Sequence, residues 1–438
     1  MRVKALVAAL CLLPTLCGCG GGGKGAGQGP LGLKAQELQE QATARHLQGG
    51  QLIPFTFVDP EGNLDHYGIG DMGDAAIWTG CYLAAESFRY AATGDIAAYQ
   101  ACRETLNAMR MLREVTGVPG LLARGFVPAY FGIAARGEYH YSQDGKWIWS
   151  GDVSSDQLDG IIFGYYVFYR LAASPADKEA VGREVSLLIG HVIENGMQIV
   201  DVDGAPTTWG HYEPWYVRDE EHMNALLILS HLKVAHHTTG EERFRAKYLQ
   251  CINEEYALLA ETSVVKWPLE EINHSDHNLQ WLAYYPLLSL ETDPVFYASY
   301  RRSLAAAWDF VGKEGQTLFN FAEEALVPGT GNLADGVKTL QDFPTDLRLF
   351  EVINSTRSDL EAYKPFLINP ESGDPQIDFT RFPPLPVNER PLWEYEWAQN
   401  PYRLDGNVGR KGETEQSGVD YLLAYWMGRY HGLLSGGD

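Results

Sequence analysis

The fold class of this chain is decided by one stretch, Asp156-Gln157-Leu158-Asp159-Gly160-Ile161-Ile162-Phe163-Gly164-Tyr165-Tyr166-Val167-Phe168. Its acidic residues stand at the start, and the remainder is apolar on every side when it is wound as a helix. A helix without a polar face must be covered by neighbours on all sides. The stretch therefore predicts an inner helix of a larger helical assembly.

The same arrangement recurs along the chain as hairpins of an apolar helix, a short polar turn and a more charged helix. In the turns Thr93-Gly94-Asp95 and Thr239-Gly240-Glu241, a glycine ends one helix and an acid starts the next. The predicted hairpins are 74–92 with 96–115, 156–173 with 178–199, 219–238 with 243–259, and 276–290 with 295–311. Further helices are predicted at 35–47, 335–348 and 417–434, and an irregular arm at 376–412. Repeated hairpins of this kind stack into an open solenoid or a closed ring.

The composition indicates a large folded body and narrows the choice of partners. Apolar residues make up 45% of the 438 residues, which is enough for a sizeable core. The formal net charge is -23, and no long basic run is present. Nucleic acid needs clustered lysine and arginine, so we exclude it as a partner, and long anionic polymers are repelled at long range. A local basic pocket remains compatible with a short anionic ligand.

The first residues resemble a bacterial lipoprotein signal. Arg2 and Lys4 precede an apolar run, residues 5–16, that is too short to span a bilayer as a helix. The following Leu16-Cys17-Gly18-Cys19 resembles the lipobox, which implies cleavage before Cys19 and lipidation of that residue. An ordinary secretory signal is the alternative. We expect a signal peptide at 1–18, a Gly-rich tether at 19–34 and one folded domain at 35–438, anchored by lipid to a bacterial cell envelope at the outer membrane or cell surface.

Several motifs resemble secreted six-hairpin glycosidases. Residues 74–80, with the sequence DAAIWTG, look like the opening inner helix of these enzymes, which include unsaturated-uronyl hydrolases. Residues 156–160 are similar to their second inner helix, where a catalytic Asp sits near the helix start. Residues 343–348 and 418–432 resemble uncharacterised secreted toroid proteins. The resemblance covers most of residues 60–435 and implies an all-α (α/α)6 toroid of helical hairpins with long loops at one mouth.

In a toroid the inner helices run parallel, so the loops before them gather at one mouth and build a cleft. In this chain those loops carry many of the tryptophans, at positions 147, 149, 209, 215, 267, 393 and 397. Indole offers a flat apolar face with one polar edge, which suits the C–H face of a sugar. The alternative is that these rings fill the centre of the toroid. The residues expected to shape the pocket are Arg124, Trp149, Trp209, Trp215, His222, His274, His277 and Trp393.

Paired carboxylates near the helix starts are the candidates for catalysis. Glycoside hydrolysis needs a protonated acid at the leaving oxygen and a second carboxylate as base or nucleophile. The candidates are Asp71, Asp74, Asp156 and Asp159. Helix capping is the alternative for Asp74 and Asp156, and a favourable interaction with the helix dipole is the alternative for Asp159. We favour Asp159 as general acid or base, because Gly160 beside it allows a close approach of backbone to a ligand. Asp71 or Asp74 would then be the second carboxylate.

The densest polar cluster is His274-Ser275-Asp276-His277-Asn278. Its histidines are ordinary metal ligands, but no third ligand is evident, so we favour a role in lining the cleft and expect neither a metal nor a cofactor. One of them is also a candidate general base for a lyase.

The function predicted from the sequence is that of an envelope-anchored glycoside hydrolase. A non-catalytic surface protein that binds glycan or another small ligand is the alternative, and a polysaccharide lyase is the third hypothesis. The expected partners are a carbohydrate or small-molecule ligand, with the membrane contacted only through the lipid anchor.

Overall fold

The computed structural model describes residues 29–59, 68–132, 138–262, 274–363, 383–393 and 399–438. Most of these residues lie in helices. In chain order they are α1 (Pro30–Gln41), α2 (Ala75–Thr93), α3 (Ile96–Glu114), α4 (Ser155–Leu171), α5 (Pro175–Glu194), α6 (Pro214–Asp219), α7 (Met223–Thr239), α8 (Glu242–Asn253), α9 (Tyr256–Thr262), α10 (His274–Leu290), α11 (Pro294–Val311), α12 (Thr317–Leu326), α13 (Leu333–Asp342) and α14 (Val419–Tyr430). None of these helices is long and apolar enough to cross a bilayer.

Short strands occupy the connections between the hairpins. They are β1 (Leu47–Gln48), β2 (Gln51–Leu52), β3 (Phe55–Phe57), β4 (Gly68–Asp71), β5 (Gly125–Pro128), β6 (Tyr139–Tyr141), β7 (Trp147–Ser150), β8 (Gln198–Val200), β9 (Pro206–His211), β10 (Arg348–Ile353) and β11 (Asp405–Gln416). The largest sheet has the order β10-β11-β3-β4, and every strand pair is antiparallel. A second sheet has the order β5-β7-β6. These sheets lie at the loops that lead into the inner helices.

The apolar helices form a closed ring. Helix α2 packs on α4, α4 on α7, α7 on α10, α10 on α12, α12 on α14, and α14 returns to α2. Nearly all of their residues are buried, and one apolar cluster runs through the whole ring. The contact between the last and first inner helices excludes an open solenoid. The (α/α)6 toroid expected from the sequence is therefore confirmed.

More charged helices surround the ring. Helices α3, α5, α8 with α9, α11 and α13 pack on the inner helices, and α1 covers α14. The N-terminal helix thus completes the last hairpin, and its ends meet the C-terminal segment. The Gly29 amide donates to the Gly436 carbonyl at 3.1 Å, and the Leu31 amide donates to the Asp438 carbonyl at 3.1 Å.

The inner helices run parallel, so the ring has two different ends. Their starts meet at one end, where the Gln157 side chain of α4 reaches Asp74, the residue before α2, at 3.0 Å. We call this end the mouth. At the other end, the base, late residues of four inner helices form an aromatic cluster of Phe88, Tyr166, Tyr285, Tyr430 and His431. The Tyr285 hydroxyl lies 2.9 Å from His431 Nε2, and burial lowers the pKa of His431 to about 4.

Glycines bring α2 and α4 into very close contact. A Cβ atom on Gly80 would lie 2.0 Å from the Gly160 carbonyl oxygen, and one on Gly164 would lie 2.4 Å from the Gly80 carbonyl oxygen. A Cβ atom on Gly160 would meet the backbone of Ile77 at 2.6 Å. Gly160 therefore serves helix packing, which corrects the expectation that it leaves room for a ligand.

Several predicted boundaries differ from the structure. Helix α1 begins at Pro30 rather than residue 35, since proline fits the first helical position, so residues 30–34 belong to the folded body. The helix predicted at 243–259 is divided near Glu255, whose φ is 68°, into α8 and α9. The helix predicted at 335–348 ends at Asp342, and the predicted arm contains the first part of β11. Helix α12, an inner helix, was not predicted.

Candidate active site at the mouth of the ring

A pocket of about 450 Å³ opens at the mouth between the starts of α4, α7 and α10. Four acidic side chains and one arginine contribute to its wall, so the pocket is strongly polar and has an excess of negative charge. Its described lining is Arg124, Ser154, Ser155, Asp156, Trp209, Tyr216, Glu220, Glu221, Met223, Asn224, Ser275 and Asp276.

Asp74 and Asp156 form a carboxylate pair at the starts of α2 and α4. Burial, followed by the charge of Asp156, raises the pKa of Asp74 to about 6, although Arg124 opposes this shift. Burial also raises the pKa of Asp156, against the effects of the Ser155 hydroxyl and Arg124. Gln157 Nε2 donates to Asp74 Oδ1 at 3.0 Å and fixes the orientation of that carboxyl group. Asp74 therefore carries a proton at mildly acidic pH.

Asp74 does not form the helix cap that the alternative interpretation required, whereas Asp156 is engaged in the first turn of α4. Asp74 stands at the N-cap of α2 but its side chain makes no capping hydrogen bond. At α4, the Ser154 amide and hydroxyl donate to Gln157 Oε1 at 2.8 and 2.7 Å, which ties the cap residue to the first turn. The Asp156 carboxylate accepts a hydrogen bond from the Ser155 hydroxyl at 3.1 Å and also interacts with its own backbone amide, so it is partly engaged at the start of α4.

Asp152 joins the loops that build the pocket wall. Its carbonyl oxygen accepts a hydrogen bond from Arg124 Nε at 2.7 Å, and its Oδ1 accepts one from the Thr208 amide at 2.6 Å. Its amide donates to Asp201 Oδ2 at 2.7 Å, and its φ is 50°. A non-glycine residue in this conformation is held there by its surroundings. The network fixes Arg124 and the hairpin that carries Trp209 in one arrangement.

Aromatic rings form one side of the pocket. Trp209 of β9 lines the pocket and is 58% exposed. Tyr216 of α6 also lines it and stacks on His211 with a centroid distance of 4.8 Å. Trp215 packs edge-on against Tyr216 at 5.5 Å and is itself exposed beside the pocket. Flat exposed rings next to carboxylates are the arrangement that sugar ligands use.

Asn224 is a pocket residue that the sequence did not reveal. It is 2% exposed, and its Nδ2 donates to the His211 carbonyl at 2.8 Å. Its Oδ1 has no hydrogen-bond partner within the described part of the chain. A buried acceptor of this kind usually has a partner, so it is a candidate for binding a ligand hydroxyl. An asparagine inside an apolar helix was the only signal that the sequence offered.

Asp159 lies outside the described lining of the pocket. Its side chain is buried, and His231 Nε2 lies 2.9 Å from Asp159 Oδ1. Burial raises its pKa to about 6, while His231 acts in the opposite direction. Three residues after Asp156, it sits about 4.5 Å deeper along the helix axis. Asp159 is thus enclosed and absent from the described lining of the pocket, and its assignment as general acid or base stays a prediction.

The predicted histidines are held in other contacts. His274 lies 3.1 Å from Glu314 in a buried pair, and His277 stacks on Phe310 with a centroid distance of 5.5 Å. His222 contacts the Arg218 carbonyl and the Thr262 hydroxyl, each at 2.9 Å. None of the three is in the described lining of the mouth pocket.

The remaining predicted residues are dispersed. Trp149 is buried against His140 with a centroid distance of 4.6 Å, and Trp393 lines a separate pocket. Asp71 is exposed on β4 and accepts a hydrogen bond from the Gly73 amide at 2.8 Å. Cys19, Trp267 and Trp397 lie outside the described residues. Of the predicted residues, Asp156, Arg124 and Trp209 line one pocket. Asp74 is not in its described lining but lies beside Asp156, whose charge acts on it, and accepts a hydrogen bond from Gln157.

No grouping of metal-ligating side chains suited to an ion occurs among the residues that the structure describes.

No protein-family model matches the sequence, and a search of curated proteins gives no match. Among solved structures, the chain is similar to a D-mannose isomerase, with a TM-score of 0.43 and 12% identity over 92% of this chain and 97% of that one. It is similar to a sugar epimerase from a ruminal bacterium, with a TM-score of 0.45 and 10% identity over 90% and 98% of the two chains. A third similar structure is the GH76A alpha-1,6-mannanase from Salegentibacter sp. HEL1_6, with a TM-score of 0.42 and 13% identity over 92% and 100%. Likeness at this level assigns no activity, and the ring assignment rests on the helix contacts.

Proposed function

We propose that this protein is a carbohydrate-active enzyme that hydrolyses a glycosidic bond at the mouth pocket. The observation that carries the proposal is the Asp74–Asp156 pair beside Arg124, in which Asp74 has a pKa of about 6. Hydrolytic sites for sugars need one carboxyl group that is protonated near the working pH and one that is ionised. The exposed rings of Trp209 and Tyr216 supply a surface for the sugar.

In the proposed reaction, Asp74 donates its proton to the glycosidic oxygen as the bond from that oxygen to the anomeric carbon breaks. Asp156 acts on the opposite side, either by taking a proton from the attacking water or by bonding to the anomeric carbon before water replaces it. The net change is the addition of water, with hydroxyl on the anomeric carbon and hydrogen on the leaving oxygen. The positive charge of Arg124 favours the ionised form of Asp156, against the effect of burial, which raises the pKa of that residue.

We also propose that the chain is anchored to the bacterial envelope through Cys19, on the basis of the lipobox-like residues 16–19. Metabolic labelling with a radioactive fatty acid, followed by membrane fractionation, tests this part. Cys19→Ala is expected to lose the label and to leave the membrane fraction. An ordinary secretory signal would instead give an unlabelled, released protein.

The hydrolysis proposal is tested by incubating purified protein with a panel of glycans and measuring new reducing ends. Asp74→Asn and Asp156→Asn are each expected to lower the rate by at least about 100-fold. Asp309→Asn changes an exposed residue of α11 and serves as the matched control. Proton NMR of the first anomer released then distinguishes retention from inversion.

The alternative functions give different results in the same assay. Binding of a glycan without release of reducing ends would support the non-catalytic role. Products that absorb near 230 nm as unsaturated sugars would support a lyase, and Asp74→Asn would then have no reason to abolish the reaction.

A further inference from the structure

A second pocket, of about 440 Å³, lies beside the β10–β11 end of the largest sheet. We call it the Trp393 pocket. Its volume falls within the range of small-ligand sites, about 300–1,000 Å³. Its described lining is Pro391, Leu392, Trp393, Gln399, Arg403, Gly406, Asn407, Val408 and Arg410.

The charge of this lining is opposite to that of the mouth pocket. Among the described lining residues there are two arginines and no carboxylate, whereas the mouth pocket has four acids and one arginine. The whole chain has a net charge of -23, so a pocket lined in this way stands out from its surroundings. Guanidinium groups form paired hydrogen bonds with carboxylates and similar anions. The favoured ligand is therefore anionic.

An irregular segment of β11 forms much of the pocket wall. Between the pairs Phe350–Lys411 and Val352–Gly406, β10 has one residue and β11 has residues 407–410. Asn407 adopts a φ of 56°, and its Nδ2 donates to the Leu392 carbonyl at 2.8 Å. Arg410 donates to the Thr414 hydroxyl at 2.9 Å and lies 3.4 Å from the Glu413 carboxylate, which is outside the described lining. A bulge of this kind turns side chains out of the ladder, and here it directs them to the pocket.

Gln399 gives an independent sign of a ligand. It lines the pocket and is only 3% exposed, yet neither its Oε1 nor its Nε2 has a hydrogen-bond partner among the residues that the structure describes. Leaving a buried amide unpaired is costly, and such groups usually bind a water molecule or a ligand. Trp393, partly exposed beside it, packs on Phe55 with a centroid distance of 5.0 Å. The pocket thus combines an indole face, an unpaired amide and two guanidinium groups.

We infer that the Trp393 pocket binds a negatively charged sugar unit, with its carboxylate or sulfate on the arginines and its ring against the indole. The inference rests on the proposed function, because it makes the pocket a subsite for a glycan that also occupies the mouth. The largest sheet connects the Trp393 pocket to the mouth. Phe55 contacts Trp393, and its register partner on β4 is Asp71. Asp71 lies three residues before Asp74 in the sequence. The substrate would then carry its anionic unit away from the bond that is cleaved.

The test is a calorimetric titration of the full chain carrying Asp74→Asn, so that binding is read without turnover. The ligands are an oligogalacturonate, its carboxyl-reduced neutral counterpart and a sulfated oligosaccharide of equal length. We expect at least one anionic ligand to bind about tenfold or more tightly than the neutral one. Arg410→Gln should remove that preference, and Trp393→Ala should weaken binding of all three. Arg245→Gln, at an exposed arginine near the base, is the matched control.

The possible outcomes distinguish failure of the subsite inference from failure of the hydrolytic proposal. Equal affinity for charged and neutral ligands, or an unchanged preference in Arg410→Gln, overturns the inference. Loss of the preference in Arg124→Gln but not in Arg410→Gln would place the anion in the mouth pocket and also overturn it. Charge-dependent binding without hydrolysis by the wild type overturns only the hydrolytic proposal. Hydrolysis without charge preference overturns only the subsite.

Discussion

Asp74 can act as a proton donor, but its ionised form lowers the stability of the folded protein. Its pKa is about 6 in the folded protein, against about 4 in an unfolded chain. A raised carboxyl pKa means that the folded state binds the proton more tightly. The stability that this gives is present below pH 4 and is lost as the pH rises through 6. At pH 7 the ionised Asp74 therefore lowers the free energy of unfolding.

We predict that Asp74→Asn removes activity while raising the free energy of unfolding at pH 7 by about 1–3 kcal/mol. Asparagine keeps an oxygen that can accept the Gln157 hydrogen bond but brings no charge into the site. Urea denaturation at pH 5 and pH 7 measures the effect, which should be smaller at pH 5. A variant that is less stable at pH 7 would contradict the pKa assignment.

The same residue sets the pH dependence of the reaction. Because the proton donor is the protonated form of Asp74, the rate of the wild type should fall as the pH rises through about 6. Initial rates between pH 4 and pH 8 measure this limb. A rate that increases steadily to pH 8 would show that Asp74 is not the acid.

For the pair of Asp159 and His231 we predict the opposite effect, which is a loss of stability with little loss of activity. Their pair is buried, so Asp159→Ala leaves a histidine without its partner and should cost about 3–5 kcal/mol of stability. For the enzyme that remains folded, we expect kcat to stay within about tenfold of the wild type, because both side chains are buried and are paired with each other. Denaturation curves and kinetics at 20 °C separate the two effects. A fully stable but inactive Asp159→Asn would support the original assignment.

At the scale of single residues, the sequence indicated which residue types belong to the candidate site better than it indicated how deeply each of them is buried. Asp156, Arg124 and Trp209 were selected from their places before inner helices and lie in the described lining of one pocket, with Asp74 beside Asp156. The sequence could not show that Asp159 is buried, because three residues of helix separate a pocket wall from the core. Only a partner on another helix decides whether a side chain faces the one or the other. That partner, His231, stands inside the apolar run of α7 and was the missed signal.

At the scale of elements, the contact between α2 and α4 depends on glycine. Gly80→Ala would place a methyl group 2.0 Å from the Gly160 carbonyl oxygen, so the helices must move apart. We expect a loss of about 1–3 kcal/mol or more in the free energy of unfolding. Gly190→Ala in α5 is the matched control, since its methyl group would meet only the flexible Arg243 side chain at 3.3 Å. Equal effects of the two substitutions would contradict the packing described here.

The elements themselves were predictable where burial is complete. Inner helices such as α2 and α4 carry apolar residues all round, and that pattern is visible in one sequence. Helix α12 has only ten residues, too few to show a period, and was missed. The strands were missed for another reason. β3 pairs with β11, more than 350 residues later, and such a short strand has no pattern apart from its partner.

At the scale of the whole molecule, closure of the ring depends on its last inner helix. Helix α14 contacts α2 and α12 and is covered by α1. A chain that ends at Gln416 leaves apolar faces of both neighbours without cover. We predict that this truncation abolishes the single cooperative thermal transition and increases the fluorescence of a bound hydrophobic dye. Deletion of residues 436–438 removes the backbone bonds to Gly29 and Leu31, and should lower the melting temperature only slightly.

The backbone bond between Gly29 and Gly436 has a practical consequence for biosensor work. Both residues lie where α14 ends, at the base, whereas the pocket opens where the inner helices begin. A biotin attached through a short linker at the C-terminus would capture every molecule on a streptavidin chip in one orientation. The pocket would then face the flowing analyte. Binding could therefore be measured for glycans that are too large to enter a layer of randomly coupled protein.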